Sequence, residues 1–189
     1  MSTASIDKPP GHALLGGLEP AFRDTVAVVL ERLRLDDGHE FRPYCGHRSV
    51  VAQAILWRQS RATAEIRAAV ARLERAGAPY LASVLDGVGP RYGRWATNAL
   101  PGQSWHNWRN AVDVVLIVDG AAVWDADHPG YDALARACRV HGLESGHNWR
   151  SRDSVHVQAA VGRSPSDAWG WPEIDEAMRR MTVDRAAPV

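Results

Sequence analysis

Apolar residues first recur at helical spacing. Phe22, Val26, Val29, Leu30 and Leu33 share one face of a helix expected from Glu19, with Pro20 in its first turn and Asp36-Asp37-Gly38 as its stop. Phe41 to Cys45 reads as a short extended segment broken by Gly46. Val50 to Arg61 predicts a second helix, with Ser49 as its N-cap and Val51, Ile55 and Leu56 apolar. Thr63 caps a third, carrying Ile66, Val70 and Leu73 and closed by Gly77; residues 79–87 add a short helix, and Gly87 to Arg94 is a loop. The period then changes. Ala111 to Val118 and Ala121 to Trp124 are apolar runs separated by Asp119-Gly120, a strong hairpin signal. Tyr131 to His141 is helical, with Leu134, Ala135 and Cys138 on one side and Gly142 at its stop. Gly146 to Arg152 is a polar loop, Val155 to Ala159 a short strand, and Pro172 to Met181 a last helix. Helices first and antiparallel strands later predict an α+β fold in which N-terminal helices pack on a small antiparallel sheet. Residues 1–17, rich in Pro and Gly, are expected to be a flexible lead-in, 18–182 a single domain and 183–189 a tail.

Composition narrows the function classes. The 189 residues are 46% hydrophobic and 23% charged, which suits one compact domain with a sizeable core. Lys plus Arg and Asp plus Glu each total 22, so no general attraction to nucleic acid or anionic lipid is expected. No run approaches the roughly 18 apolar residues of a membrane span. The first ten residues lack the basic start and apolar block of a signal peptide, so the expectation is synthesis in the cytoplasm, with any export by another route. Cys45 and Cys138 are too few for a disulfide framework and read as buried free thiols. A monomer is the default.

The chemistry concentrates in Gln103-Ser104-Trp105-His106-Asn107-Trp108-Arg109-Asn110-Ala111-Val112-Asp113, where an imidazole is followed seven residues later by a carboxylate entering a β-branched run. A straight strand would hold these two side chains about 23 Å apart, at roughly 3.3 Å per residue, and on opposite faces. Zinc bonds are only about 2.0 to 2.2 Å long, so the chain must turn between them, and Asn107 and Asn110 tolerate turns. A third donor is offered by His156, which opens the last predicted strand, and Asp153 three residues earlier can reach the same water. Catalytic zinc takes three protein ligands and an open position, which makes His106, Asp113 and His156 the minimal set and Asp153 the base.

These motifs resemble a known family. Ser104-x-His106 with Asp113, then Asp153-x-x-His156, preceded by Gly46-His47-Arg48-Ser49 with Gln53 and Arg61, looks like the zinc peptidases that include bacterial D-alanyl-D-alanine carboxypeptidases and phage L-alanyl-D-glutamate endopeptidases, with lysostaphin-type peptidases and hedgehog domains as structural relatives. The likeness runs from about Phe41 to Gln158, with local matches at Thr97-Asn98-Ala99 and from Gly142 to Trp149. It implies zinc held by His106, Asp113 and His156, Asp153 as general acid/base, and Arg48 on the substrate or on the developing oxyanion. Gln53, Ser104 and Trp149 are expected near the substrate. The implied activity is hydrolysis of an amide bond in peptidoglycan stem peptides, L-alanyl-D-glutamate endopeptidase first and D-alanyl-D-alanine carboxypeptidase second. The charge balance and size fit a phage-type endolysin or another lytic protein. A zinc-bearing binding module without catalysis is the alternative from another class, and Asp153 argues against it. Arg109 stands where the family commonly has Gly, and Asp153 is one methylene shorter than the Glu of some relatives.

The remaining polar candidates have plainer expectations. Glu144 and His147 read as surface residues, His47 as exposed, His128-Pro129-Gly130 as a turn and His141 as a helix end. Trp105, Trp108 and Trp149 are expected to pack in the core, with the wall of a peptide or glycan groove as the alternative.

Overall fold

The computed structural model describes residues 14–186, so most of the expected lead-in and the last three residues lie outside the described residues. The chain divides into two compact units. One joins the residues up to His47 with Arg109–Ala160, and the other joins Arg48–Trp108 with the residues from Val161 on.

The first unit holds α1 (Pro20–Asp36), β1 (Glu40–Cys45), β2 (Ala111–Val118), β3 (Ala121–Val123), α5 (Pro129–Val140), β4 (Leu143–Ser145) and β5 (His156–Ala159). Its sheet is antiparallel throughout, in the order β1-β2-β5-β4, with β3 also pairing β2. The fold is α+β, as expected. Central strand β2 is buried from Ala111 to Leu116. Side chains alternate across a strand, so its two faces carry different chemistry. Val112, Val114 and Leu116 join Phe41, Val157, Phe22, Val26, Leu33, Tyr131 and Leu134 in one apolar core. The other face carries Asp113, flanked in register by Cys45 on β1 and His156 on β5, and one rung further on by Gln158 and Glu144. The hairpin turns on Asp119 and Gly120, both at positive φ, the backbone of a type I′ turn. Leu15, inside the expected lead-in, is buried in the core.

The second unit is helical, with α2 (Val50–Arg58), α3 (Thr63–Arg75), α4 (Pro79–Gly87) and α6 (Trp171–Ala186). Its core gathers Val50, Ala54, Trp57, Ile66, Leu73, Leu81, Leu85, Leu100, Ile174 and Met178. Buried Asp175 of α6 receives the Leu81 and Tyr80 backbone N–H groups at 2.8 and 3.3 Å, so a carboxylate caps the start of α4, where free donors and the helix dipole favour an anion. Arg58 donates to the Leu85 and Asp86 carbonyls at the other end of the same helix. No described helix is long and apolar enough to cross a membrane.

Several boundaries move for local reasons. Helix α2 ends at Arg58 rather than Arg61, because the chain turns extended at Gln59 and Ser60 takes a positive φ. Its buried side is Val50, Gln53, Ala54 and Trp57, whereas Val51 is exposed; a helix apolar all round does not announce its inner face. The N-cap of α3 is Ala62, not Thr63, since Glu65 reaches back to the Ala62 N–H at 2.9 Å. His128-Pro129-Gly130 is not a free turn. His128 accepts the Gly130 N–H through Nδ1 and opens α5 with Pro129 at its first position.

Asp175→Ala is expected to lower unfolding stability by about 2 kcal/mol in urea denaturation, because it leaves two helix N–H groups without their acceptor. Asp175→Asn, which keeps an acceptor oxygen but not the charge, is expected to lose less.

Candidate functional site

The expected site residues are divided between the two units. In the sheet unit, Asp113 and His156 are direct cross-strand partners, with Asp113 Oδ1 3.1 Å from His156 Nδ1 and both residues buried. Two donors at about 2.1 Å from one ion with tetrahedral angles stand about 3.4 Å apart, so the spacing and the N/O chemistry of this pair fit zinc. Cys45, half-buried, offers its thiol within 4.8 Å of an Asp113 oxygen. The expectation of two buried thiols therefore holds for Cys138, whose pKa is pushed up to about 12 by burial, but not for Cys45. The bulge between Pro43 and Cys45 sets Cys45 opposite Asp113, and nothing in its sequence neighbourhood signals that.

The surroundings of His156 are polar and directional. Its Nε2 lies 3.0 Å from Gln158 Oε1; Gln158 Nε2 donates to Glu144 Oε2 at 3.2 Å, and the Trp149 indole donates to Glu144 Oε1 at 2.5 Å. Burial works against the imidazolium of His156, but the hydrogen bond and charge of Asp113 outweigh it, with Gln158 and Asp153 adding, so its pKa is raised. Burial, and after it the charges of Asp113 and Asp153, push the Tyr44 phenol up, so this ring stays protonated.

Asp153 is held by its backbone. Its N–H donates to the Gly146 carbonyl at 2.9 Å and its carbonyl accepts the His156 N–H at 3.1 Å. Gly146 permits this approach, since a Cβ there would sit 2.5 Å from the Asp153 carbonyl oxygen. The expected polar loop begins with a 3-10 turn at Gly146–Asn148 and is pinned by His147, which is buried rather than on the surface. His147 Nδ1 lies 2.9 Å from Ser154 Oγ, and Nε2 lies 3.1 Å from Asp132 of α5. Glu144 is likewise no free surface carboxylate. Trp149 stands with its ring centroid 5.1 Å from that of His156.

In the helical unit, His106 is buried and its carbonyl accepts the Arg48 N–H at 3.1 Å. Asn107 tightens the same turn, receiving the Gly102 N–H at 2.9 Å and donating to the Arg48 carbonyl at 2.8 Å. The Arg48 guanidinium donates to Gln53 Oε1 at 3.0 Å, and Gln53, fully buried, donates in turn to the Ala99 carbonyl at 2.8 Å. Arg61 reaches the Thr97 carbonyl at 2.8 Å, so the motif residues Arg48, Gln53, Arg61 and Thr97-Asn98-Ala99 form one bonded group. Half-buried Ser104 accepts the Asn107 N–H through its carbonyl at 2.9 Å. Trp105 and Trp108 pack with Trp169, the last two stacked at 4.7 Å.

The chain passes from one unit to the other between Trp108 and Arg109, within the seven-residue interval from His106 to Asp113. Arg109 has φ 64°, the left-handed conformation that glycine adopts without strain. Its guanidinium is bonded within the sheet unit. It donates to the Gly17 and Leu18 carbonyls at 2.6 and 3.4 Å, while its own carbonyl accepts the Glu19 N–H at 2.9 Å. These bonds offset the strain of a non-glycine residue there.

No family model matches the chain, and no curated protein is significantly similar to it. Among solved structures, the chain is similar to the L-Ala D-Glu endopeptidase ChiX of Serratia marcescens, at 22% identity over 84% of this chain and 95% of that one, with a TM-score of 0.43. It is also similar to a variant of the vancomycin resistance D,D-pentapeptidase VanY from the VanB-type cassette in complex with Zn(II), at 16% identity over 87% of this chain and 77% of that one, with a TM-score of 0.44. At these scores the function has to be argued from this chain's own residues.

The raised His156 pKa has a stability consequence for the metal-free protein. An imidazolium paired with Asp113 stabilises the fold fully below the unfolded value of about 6.5, and that contribution is lost as pH rises through the higher folded value. The urea midpoint of chelator-treated protein is therefore expected to fall as pH rises above about 6.5, and to fall less in Asp113→Asn.

Proposed function

We propose that the protein is a zinc-dependent peptidase that hydrolyses an amide bond in peptidoglycan stem peptides, with the L-alanyl-D-glutamate bond as its target. The observation that carries this reading is the buried Asp113 and His156 pair, with 3.1 Å between Oδ1 and Nδ1, beside an Asp153 fixed by backbone bonds to Gly146 and His156. His106, Asp113 and His156 are the proposed zinc ligands. Bound zinc supplies a Lewis acid and brings the pKa of its water towards 7. Asp153 takes the proton of the attacking water and hands it to the leaving amine. Arg48, steered by Gln53, meets the developing oxyanion or a substrate carboxylate. Gln53 is too deeply buried to touch substrate and acts through Arg48. The exposed Asp153 and half-buried Trp149 are the groups this reading assigns to the substrate side. The substrate class comes from the motif resemblance.

The test is mass spectrometry of purified peptidoglycan fragments after incubation with the zinc-loaded protein. New stem fragments are expected, with masses that mark cleavage after L-alanine, and Asp153→Ala is expected to slow their release by 100-fold or more, within the range of about 10²–10⁴ for a general acid/base. Release of terminal D-alanine instead would assign the carboxypeptidase activity. Intact fragments from a protein that retains one zinc would remove catalysis on this substrate.

Gly146→Ala forces the Asp153 carbonyl away from a new Cβ. Turnover is expected to drop by about 100-fold, the effect of roughly 1 Å of misplacement, while bound zinc measured by atomic absorption stays at one equivalent.

A further inference from the structure

We propose that Glu144 and Gln158 form a positioning pair that holds the Nε2 proton and the orientation of His156, so that Nδ1 is the nitrogen presented to the metal. The inference rests on the zinc reading above and goes further, to residues that touch neither metal nor substrate.

Glu144 and Gln158 are direct partners across β4 and β5. A carboxylate only accepts, so the group that Gln158 turns towards Glu144 must be its NH2, as the 3.2 Å bond from Nε2 to Oε2 has it. The other Glu144 oxygen is taken by the Trp149 indole, which can only donate. With its NH2 committed, Gln158 presents its carbonyl oxygen to His156 Nε2 at 3.0 Å, and that nitrogen must carry a proton. Gln158 is 1% exposed, so water does not compete for either end of its amide. Gln158 thus holds the Nε2 proton, and Nδ1, 3.1 Å from the Asp113 carboxylate, is the nitrogen that a metal shared with Asp113 would take. The chain of bonds from Trp149 through Glu144 and Gln158 to His156 has one consistent direction, dictated by the acceptor-only carboxylate of Glu144. Such outer partners typically change metal affinity by about 10- to 100-fold when removed.

The test uses the full chain with 15N-labelled histidine. Long-range proton–nitrogen spectra of the zinc-loaded protein are expected to show His156 protonated at Nε2, with Nδ1 as the metal-bound nitrogen. Gln158→Leu removes the acceptor at similar volume; the Nε2–H signal is expected to be lost to solvent exchange, and zinc affinity, read by competition with a chromophoric chelator, to fall about 10- to 100-fold. The double variant E144Q/Q158E exchanges amide and carboxylate while keeping every donor opposite an acceptor. It is expected to restore both the Nε2–H spectrum and the affinity, which a merely space-filling role for Gln158 does not predict. An unchanged spectrum and affinity in Gln158→Leu overturns the positioning pair and leaves the zinc reading standing. A double variant no better than the single one overturns it as well, and covers the case in which Gln158→Leu folds poorly. Wild-type protein that takes up no zinc overturns the metal reading itself.

Discussion

A carboxylate and an imidazole buried side by side on one face of the sheet are the constraint on which the polar half of this structure depends. Taking Asp113 out of water is costly unless a cation or a donor meets it, and His156 supplies that at 3.1 Å. His156 must then satisfy its second nitrogen, which brings in Gln158; Gln158 must place its NH2, which brings in Glu144; and the remaining Glu144 oxygen engages Trp149. Each requirement is met by the neighbouring strand or the loop that follows it. The opposite face of the same strands is a conventional apolar core, and the alternation of His156, Val157 and Gln158 separates the two chemistries along one short segment.

The loop beside this pair is held by backbone geometry as much as by side chains. Gly146 lets the Asp153 segment approach where no Cβ fits, and His147 ties the loop through Ser154 and Asp132. In the helical unit, the turn at His106 is tied to Arg48 by reciprocal backbone and Asn107 bonds. The backbones at Asp153 and His106 are thus fixed by bonds that do not involve the side chains of these two residues.

Much of this was legible in the sequence where periodicity was long or turn chemistry unambiguous. Helix α1, the Asp119-Gly120 hairpin and the strand opening at His156 lie where the apolar pattern and the turn residues put them. The misses have physical causes. Three-residue β4 is too short to show a period, and a helix such as α2, apolar on all sides, hides which residues face inward. Glu144 and His147 look like surface residues because their partners, Gln158, Trp149, Ser154 and Asp132, are 5 to 15 residues away in sequence and meet them only in the fold. Cys45 comes opposite Asp113 through a bulge. Arg109 at a left-handed position breaks a local rule, and its bonds to Gly17 and Leu18 compensate from more than 90 residues away.

The central claim is that a nitrogen and oxygen donor set built on Asp113 and His156 holds zinc. X-ray absorption at the zinc edge, on protein loaded with one equivalent and desalted, tests it most directly. The account predicts a first shell of nitrogen and oxygen at about 2.0 to 2.1 Å with the outer-shell scattering of two imidazoles. A sulfur shell at about 2.3 Å, placing the Cys45 thiolate on the metal, or no zinc retained at all, would contradict it.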